Sequence, residues 1–409
     1  MNEFFKVTSL EAVRAHVPQF RQIEVEDVAL ADAVGRVLAQ DVTAQEPLPE
    51  FSRSTMDGYA LKASSSFGAS EANPAYLDLK GTVVMGRPPE FSIGAGEACR
   101  ISTGGMLPEG ADSVVMIEHT ERLDDTTIEV YRSVAPGQNV IEVGEDFQMN
   151  QRMLPSGLRL KPQDVGLLAA FGVGTIRVFR KPVIGIISTG DEVVPLENRP
   201  APGQIRDINS YSLSGQILEA GGIPIRYGII SDDLQALTAS VHRALEQSDM
   251  VLLSGGSSVG VRDYTLEVLS NLPDAKVLVH GISISPGKPT ILAETQGRAV
   301  WGLPGHVVSA MIVFKMVVMP FVEHIAGIAE PPKLGIFTPA RLNRNLSSAQ
   351  GRTDFVRVRL IEDKEERWAE PVLGKSGLLN TMVKSDGLIQ IDTNSEGIEK
   401  GTFVDVIPF

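Results

Sequence analysis

The stretch Val183-Ile184-Gly185-Ile186-Ile187-Ser188, running into Thr189-Gly190-Asp191-Glu192, decides the fold. Six residues with almost no polar break, closed by a Gly-acid turn, read as a strand covered on both faces. Working outward, Asn209–Ala220 has helical spacing and stops at Gly221-Gly222. Ile223–Ile230 reads as a strand, Ser231-Asp232-Asp233 as a cap, and Leu234–Glu246 as a helix. Met250–Ser254 is a further strand, followed by the loop Gly255-Gly256-Ser257-Ser258-Val259-Gly260 and a helix over Tyr264–Asn271. Lys276–Ile284 and Ala299–Leu303 read as strands, and Val307–Ile325 as the closing helix. Strands alternating with helices predict a parallel, doubly wound sheet. The closing helix is apolar enough to raise the question of a membrane. Lys315 in its middle, Pro320 near its end and its shortness favour a buried helix.

The flanking regions have a different texture. Leu10–His16 reads as a short helix. Over residues 47–140, β-type runs at Leu77–Val84, Glu97–Ile101, Ser113–Ile117 and Thr127–Val130 are broken by Gly and Pro, which predicts a mostly β module. Beyond Glu330-Pro331-Pro332 the pattern alternates, as in Asp354–Leu360 and Phe403–Ile407, and predicts a small β-barrel or sandwich, of which the barrel is the expected form. The expected division is 1–46 with 141–180, 47–140 as an insertion, 181–328, and 329–409.

Composition narrows the function. The 409 residues carry a net charge of −14, and an acidic surface repels a phosphate backbone, so no nucleic-acid partner is expected. The single cysteine, Cys99, forms neither an internal disulfide nor a thiolate zinc site. Six scattered histidines contain no close pair, and there is no Gly-x-Ser-x-Gly elbow, which argues against a histidine zinc site and a covalent hydrolase. An early acid, Glu3, and the lack of a long apolar run near the start give no signal peptide, so a cytoplasmic protein with no membrane partner is expected.

Ligands of open parallel sheets bind beyond the carboxyl ends of the strands. Those ends carry Ser188-Thr189-Gly190-Asp191-Glu192, Asp232-Asp233, Ser254-Gly255-Gly256-Ser257-Ser258 with Asp263, Pro286-Gly287-Lys288-Pro289, and Pro304-Gly305-His306. The Gly-Gly-Ser-Ser loop suits an anion through its backbone N–H groups, and equally suits a plain tight turn. Lys288, held between two prolines, is either a fixed positive charge or a solvated loop lysine. Glu192, Asp232 and Asp263 are either oxygen ligands for Mg²⁺ or, for the aspartates, helix caps.

Taken in order, several blocks resemble the molybdopterin molybdenumtransferase family, which includes MoeA and the E-domain of gephyrin. They are Ser54-Thr55-Met56-Asp57-Gly58-Tyr59-Ala60, Arg100-Ile101-Ser102-Thr103-Gly104, Gly144-Glu145-Asp146 and Ser188-Thr189-Gly190-Asp191-Glu192. They continue with Gly203-Gln204-Ile205-Arg206-Asp207-Ile208-Asn209, the Ser254–Gly260 loop with Asp263-Tyr264, Pro286-Gly287-Lys288-Pro289, Gly302-Leu303-Pro304-Gly305 and Gly351-Arg352. The ordered set spans essentially the whole chain.

The resemblance implies four domains, with the doubly wound domain similar to MogA, the enzyme that adenylylates molybdopterin. It implies a homodimer whose active site lies between domain III of one subunit and domain II of the other. The implied reaction takes adenylylated molybdopterin and molybdate, uses Mg²⁺, and gives molybdenum cofactor and AMP. Implied partners are a MogA-like adenylyltransferase and acceptor molybdoenzymes or their chaperones. Implied catalytic residues are Asp57, Thr103, Asp146, Asp263 and Lys288. Implied substrate-binding residues are Ser188, Gly190, Asp207, Asn209, Ser254, Gly255, Gly256, Ser257, Pro286, Pro304, Arg352 and Ser376. Glu192 and Asp232 are the implied Mg²⁺ ligands. The chain departs from the pattern at Ser285 and Gly281, where many members have basic residues, and at His306-Val307, where many have Asn-Pro or His-Pro. Other readings are a paralogue that inserts tungstate or serves one oxidoreductase, and a non-catalytic carrier or scaffold.

Overall fold

The apolar run at the centre of the sequence folds as a buried strand, β1 (Val183–Thr189), with six of its seven residues buried. The computed structural model describes residues 7–255, 259–329, 337–363 and 366–409. The chain forms two compact units. One contains residues up to Gln40, Ser156–Val165 and everything from Gly174; the other contains Asp41–Pro155 and Gly166–Val173.

In the first unit, β1 is followed by α1 (Asn209–Glu219), β2 (Ile223–Ile230), α2 (Leu234–Gln247), β3 (Met250–Ser254) and α3 (Val259–Ser270). Then come β4 (Lys276–His280), β5 (Ile291–Thr295) and β6 (Arg298–Leu303). The six strands lie in the order β2-β1-β3-β6-β5-β4. The first four are parallel, with Ile184 opposite Met250 and Met250 opposite Ala299. Two antiparallel pairings, β6 with β5 and β5 with β4, extend that parallel core.

Two details differ from the periodicity. The expected strand over 276–284 ends at His280, because Gly281 takes a positive φ of +96° that turns the chain out of the sheet. The run resumes as Ile284–Ser285, which pairs in parallel with Thr353–Asp354 instead of with the doubly wound sheet. The strand Ile291–Thr295 carries no clear alternation of its own and is held by Leu292 and Ala293, both fully buried between β6 and β4.

The closing helix, Val307–Ile325, is long and apolar enough to cross a membrane, but most of it is buried inside this unit. A π-helical turn at Phe314–Val318 lies between α-helical segments Val307–Val313 and Met319–Ile325. Phe321 packs edge-on against Trp301 at 5.0 Å and against Phe20 at 5.4 Å. The same core takes in Leu10 and Val13 from the N-terminal helix and Phe355, Leu388 and Ile407 from the C-terminal region. That region is the expected barrel. Thr353–Asp363, Glu366–Pro371, Thr338–Leu342, Phe403–Pro408 and Gly387–Ile391 neighbour one another in turn, and the last pairs back on the first.

The second unit is built on a six-stranded sheet in the order Ser113–Met116, Gly58–Leu61, Glu97–Ile101, Ala75–Thr82, Thr127–Val130, Thr120–Arg122. Its central strands are covered on both faces: Leu61, Leu77, Ala98, Val115 and Ile128 enter one core, and Ala60, Cys99, Ile101 and Val114 enter another.

Candidate functional site

The carboxyl ends of β1, β3 and β6 open onto a cavity of about 900 Å³ in the first unit. Thr189, Leu253 and Gly255, and Leu303-Pro304-Gly305-His306 line one side, while Ser285-Pro286-Gly287-Lys288 and Arg352 and Ser376 line others. A cavity of that size holds a nucleotide-sized ligand. Gly255 is required there: its φ is +151°, and a Cβ would stand 2.2 Å from the Thr189 carbonyl oxygen.

Backbone pairing explains why residues 64 positions apart meet. The register of the short parallel pair sets Ser285 opposite Asp354, so the Pro-Gly-Lys-Pro turn and Arg352 stand in adjoining walls. Ile282 N donates to Lys288 O at 2.9 Å and Thr290 Oγ1 to Gly287 O at 2.6 Å, which pins the turn on both sides of the lysine. Arg352 is held by the buried Asp354, with Nε at 2.8 Å from Oδ1 and a second contact of 3.3 Å from Nη2 to Oδ2. Ser348 Oγ also donates to Asp354 Oδ2 at 2.9 Å. A guanidinium so oriented has less rotamer freedom to lose on meeting an anion.

Other expected binding residues are structural. Ser188 Oγ donates to Asp207 Oδ2 at 3.0 Å, and Ser210 Oγ donates to the same atom at 2.6 Å. Ser210 N donates to Asp207 Oδ1 at 3.1 Å, so this carboxylate ties down the first turn of α1. Ser188 and Asp207 are thus engaged inside the fold and are not among this cavity's lining residues, although Asp207 lines two neighbouring hollows beside Ile205–Tyr211. They position Asn209, whose Nδ2 donates to Ser254 Oγ at 2.7 Å and to Gly305 O at 2.8 Å. Those two bonds, one from each amide hydrogen, lock two strand-end loops together. Ser254 is likewise buried and engaged by Asn209 instead of facing the cavity.

Beside Thr189 lies an acidic edge. Asp232 N donates to Asp191 Oδ1 at 3.2 Å, and the Glu192 carboxylate folds over Gly190, where a Cβ would meet Oε2 at 2.6 Å. Burial raises the Asp232 carboxyl above its ordinary range, and the charges of Asp191 and Glu192 push it further. Its Oδ1 is buried with no hydrogen-bond partner. The helix cap is Asp233, whose Oδ1 accepts from Ala236 N at 2.7 Å, so the cap reading of Asp232 is overturned. No three His, Cys, Asp or Glu side chains form a ready cage among the described residues. Two carboxylates completed by water and substrate oxygens are enough for Mg²⁺, and crowded, unpaired oxygens are the donors a hard cation takes. Gly256 and Ser257 lie outside the described residues, as does the side chain of Asp263 on α3.

In the second unit, three distant sequence blocks are drawn together. Ser54 N donates to Gly105 O at 2.9 Å, Gly104 N to Ser54 O at 2.7 Å, and Thr55 N to Asn139 O at 2.9 Å. Asp57 Oδ1 accepts from Thr103 N at 2.7 Å and from Thr103 Oγ1 at 3.1 Å. These bonds to Thr103, the backbone one first, hold the exposed Asp57 carboxyl below its ordinary range. Asp146 is exposed on the following turn, with its N–H given to Leu48 O. Cys99 is buried and its thiol is pushed up to about 12 by burial, so it is no nucleophile.

Three family models cover the chain in order. They are the MoeA N-terminal region (domains I and II) over residues 7–172, a probable molybdopterin-binding domain over 185–324, and the MoeA C-terminal region (domain IV) over 339–409. The chain is 34% identical to the molybdopterin molybdenumtransferase of Bacillus subtilis, covering 97% of this chain and 93% of that one. The chain belongs to the MoeA family. Two crystal structures of molybdopterin biosynthesis MoeA protein from Pyrococcus horikoshii superimpose on it. One has a TM-score of 0.80 at 37% identity, covering 98% of this chain and 99% of that one. The other has a TM-score of 0.84 at 31% identity, covering 99% and 100%. Of the MoeA blocks quoted from the sequence, those at Thr189, Gly255, Pro286–Pro289, Gly302–Gly305 and Gly351-Arg352 line the cavity, and those at Ser54–Gly58 and Thr103-Gly104 meet at Asp57. Sequence reading missed Asp354 and Asp191. Asp354 is two residues from Arg352, which stands just before the strand Thr353–Asp363, and Asp191 is next to Glu192; those offsets were the available signals.

Proposed function

We propose that this chain is a molybdopterin molybdenumtransferase that inserts molybdate into adenylylated molybdopterin with Mg²⁺, giving molybdenum cofactor and AMP. One observation carries this reading: a cavity with Lys288 and Arg352 in its walls opens at the strand ends whose neighbouring loops carry the acidic edge of Asp191, Glu192 and Asp232. Two kinds of charge side by side suit a substrate that is anionic and is handled together with a cation.

The reaction breaks a phosphoanhydride bond: an oxygen of water or of molybdate bonds the pterin phosphorus as the electron pair of the broken P–O bond leaves on the AMP phosphate. Such chemistry asks the protein mainly for positioning and charge stabilisation. Lys288, on its pinned turn, faces the oxygens where negative charge grows. Arg352, oriented by Asp354, holds a second anionic group and keeps it in register. Gly255 lets backbone approach the ligand closely. Glu192 and Asp232 would hold Mg²⁺, with Asp191 beside them; bound there, it supplies positive charge to phosphoryl oxygens. Asp57, kept ionised by Thr103, serves as a fixed acceptor for substrate donors. The same proposal includes the four-domain division, a cytoplasmic homodimer with a shared active-site cleft, a MogA-like adenylyltransferase upstream and acceptor molybdoenzymes downstream.

The test is AMP release from adenylylated molybdopterin with Mg²⁺, with and without molybdate. Molybdate-dependent release together with active cofactor supports the transferase. Release with tungstate alone redirects the proposal to a tungstate enzyme, and silence with both in a folded protein favours a carrier or scaffold.

A further inference from the structure

Ile282 is where the cavity wall meets the N-terminal segment. It follows Gly281, the residue that turns the chain out of the doubly wound sheet, and its N–H donates to Lys288 O at 2.9 Å. Gly281 N donates to Thr290 O at 2.9 Å, so residues 281–290 form a loop tied across its own neck. From outside, Thr353 N donates to Ser283 O at 2.8 Å. A second outside hold is Thr8, which pairs with Ile282 in a parallel bridge. Thr8 N donates to Gly281 O at 2.9 Å, and Ser283 N donates to Thr8 O at 2.8 Å. Val7, the residue before it, lines the same cavity as Lys288.

Two backbone hydrogen bonds are nearly offset by the entropy of ordering the residues that make them. The bridge therefore depends on what fixes Thr8 from behind. Ser9 caps the helix Leu10–Arg14, its Oγ accepting from Ala12 N at 3.2 Å. Leu10 and Val13 of that helix are buried in the core that contains the closing helix. Arg14 Nη2 donates to Met316 O at 2.8 Å, on the π-helical turn. The closing helix thus anchors Thr8. Thr8 passes that anchorage to Ile282 and, one hydrogen bond further, to Lys288.

We propose that Thr8 is a positioning residue: its backbone bridge fixes the 281–290 loop and so the place of Lys288 in the cavity wall. This rests on the transferase reading, in which Lys288 faces the charge that grows as AMP leaves. Charge stabilisation of that kind is sensitive to displacements of about 1 Å, so a loosened bridge acts on turnover before it acts on the fold.

The experiment measures kcat and KM for AMP release from adenylylated molybdopterin by the full-length protein. Thr8→Pro removes the N–H that bonds Gly281 O. It is expected to lower kcat about tenfold, with KM within about threefold and Tm close to that of the parent. Thr8→Val keeps the N–H and the β-branch, and is expected to stay within about twofold of the parent. On a Lys288→Ala background, Thr8→Pro is expected to add almost nothing, because it acts through that lysine; damage to the fold would multiply with it. Thr8→Gly keeps the donor but loosens the segment, and is expected to lose about threefold in kcat. It decides the matter if the proline variant does not fold. The proposal is overturned if folded Thr8→Pro keeps the parental kcat, if Thr8→Val falls as far as Thr8→Pro, if the loss multiplies in full with Lys288→Ala, or if, with the proline variant unfolded, Thr8→Gly keeps the parental kcat. A parent protein silent with molybdate and with tungstate overturns the transferase reading and this inference with it. An active parent with unmoved variants overturns this inference alone.

Discussion

The cavity wall and the neighbouring acidic edge treat charge in opposite ways. At the wall, Arg352 meets Asp354 at 2.8 Å, and a serine hydroxyl donates to the same carboxylate. At the edge, Asp191, Glu192 and Asp232 crowd together, no described residue forms an ion pair with them, and Asp232 keeps a buried oxygen without a partner. The first arrangement is paired in charge without a ligand, although Asp354 Oδ1, like the Asp232 oxygen, accepts no hydrogen bond. The second is electrostatically uncomfortable until a cation arrives. The contrast separates what the fold needs from what the reaction needs: matched charges hold a wall in place, and unmatched ones wait for something to bind.

On that contrast, removing positive charge from the wall has the largest effect. Lys288→Ala should lower AMP release about 100-fold or more in kcat/KM, with circular dichroism and Tm essentially those of the parent. A folded variant with near-normal turnover would show that the wall does not face the reacting phosphate. Next, the acidic edge can be emptied. Magnesium at about 100 times its dissociation constant should stabilise the parent by about 2.7 kcal/mol, read as a rise in Tm. The double variant Glu192→Gln, Asp232→Asn should lose that rise. An undiminished shift would place the metal elsewhere.

Smaller changes sharpen the comparison. Ser285→Lys adds a charge opposite Asp354 in the register and should lower the molybdate KM a few-fold, an effect of about 1 kcal/mol for a partly exposed contact. An unchanged KM would mean that position 285 does not sense the oxyanion. The smallest effect is on stability. The folded-state pKa of Asp232 is raised, so its ionisation disfavours the fold above the folded pKa, and that penalty fades as pH falls through the ordinary carboxylate range. Asp232→Asn should therefore raise the metal-free Tm at pH 7 by roughly 2 °C, with the gain shrinking toward pH 4. A lower Tm at pH 7 would show that the carboxylate has a partner.

Much of the fold was legible because local pattern and tertiary role agreed. Met250–Ser254 and Ile223–Ile230 fold where their apolar runs stand. Agreement failed where a neighbour in space made the decision. Ile284–Ser285 left the sheet its sequence continues because Gly281 turned it toward the barrel. The site was legible as residue types and less so as roles. Lys288 and Arg352 do line one cavity. Ser188 and Asp207 look polar and available in the sequence, but burial assigns them to each other. The reach of His306 to Ser376 over 70 residues has no local signature at all.

The pairing of Ile284–Ser285 with Thr353–Asp354 also bears on how this molecule can be altered. The turn with Lys288 follows a strand that belongs by hydrogen bonding to the C-terminal barrel and by sequence to the doubly wound sheet. The barrel is thus not a detachable cassette. A chimera that exchanges residues 338–409 for a foreign barrel inherits a mismatched seam in the wall of its own cavity, and grafting succeeds only when both sides of that two-residue stitch are transplanted together.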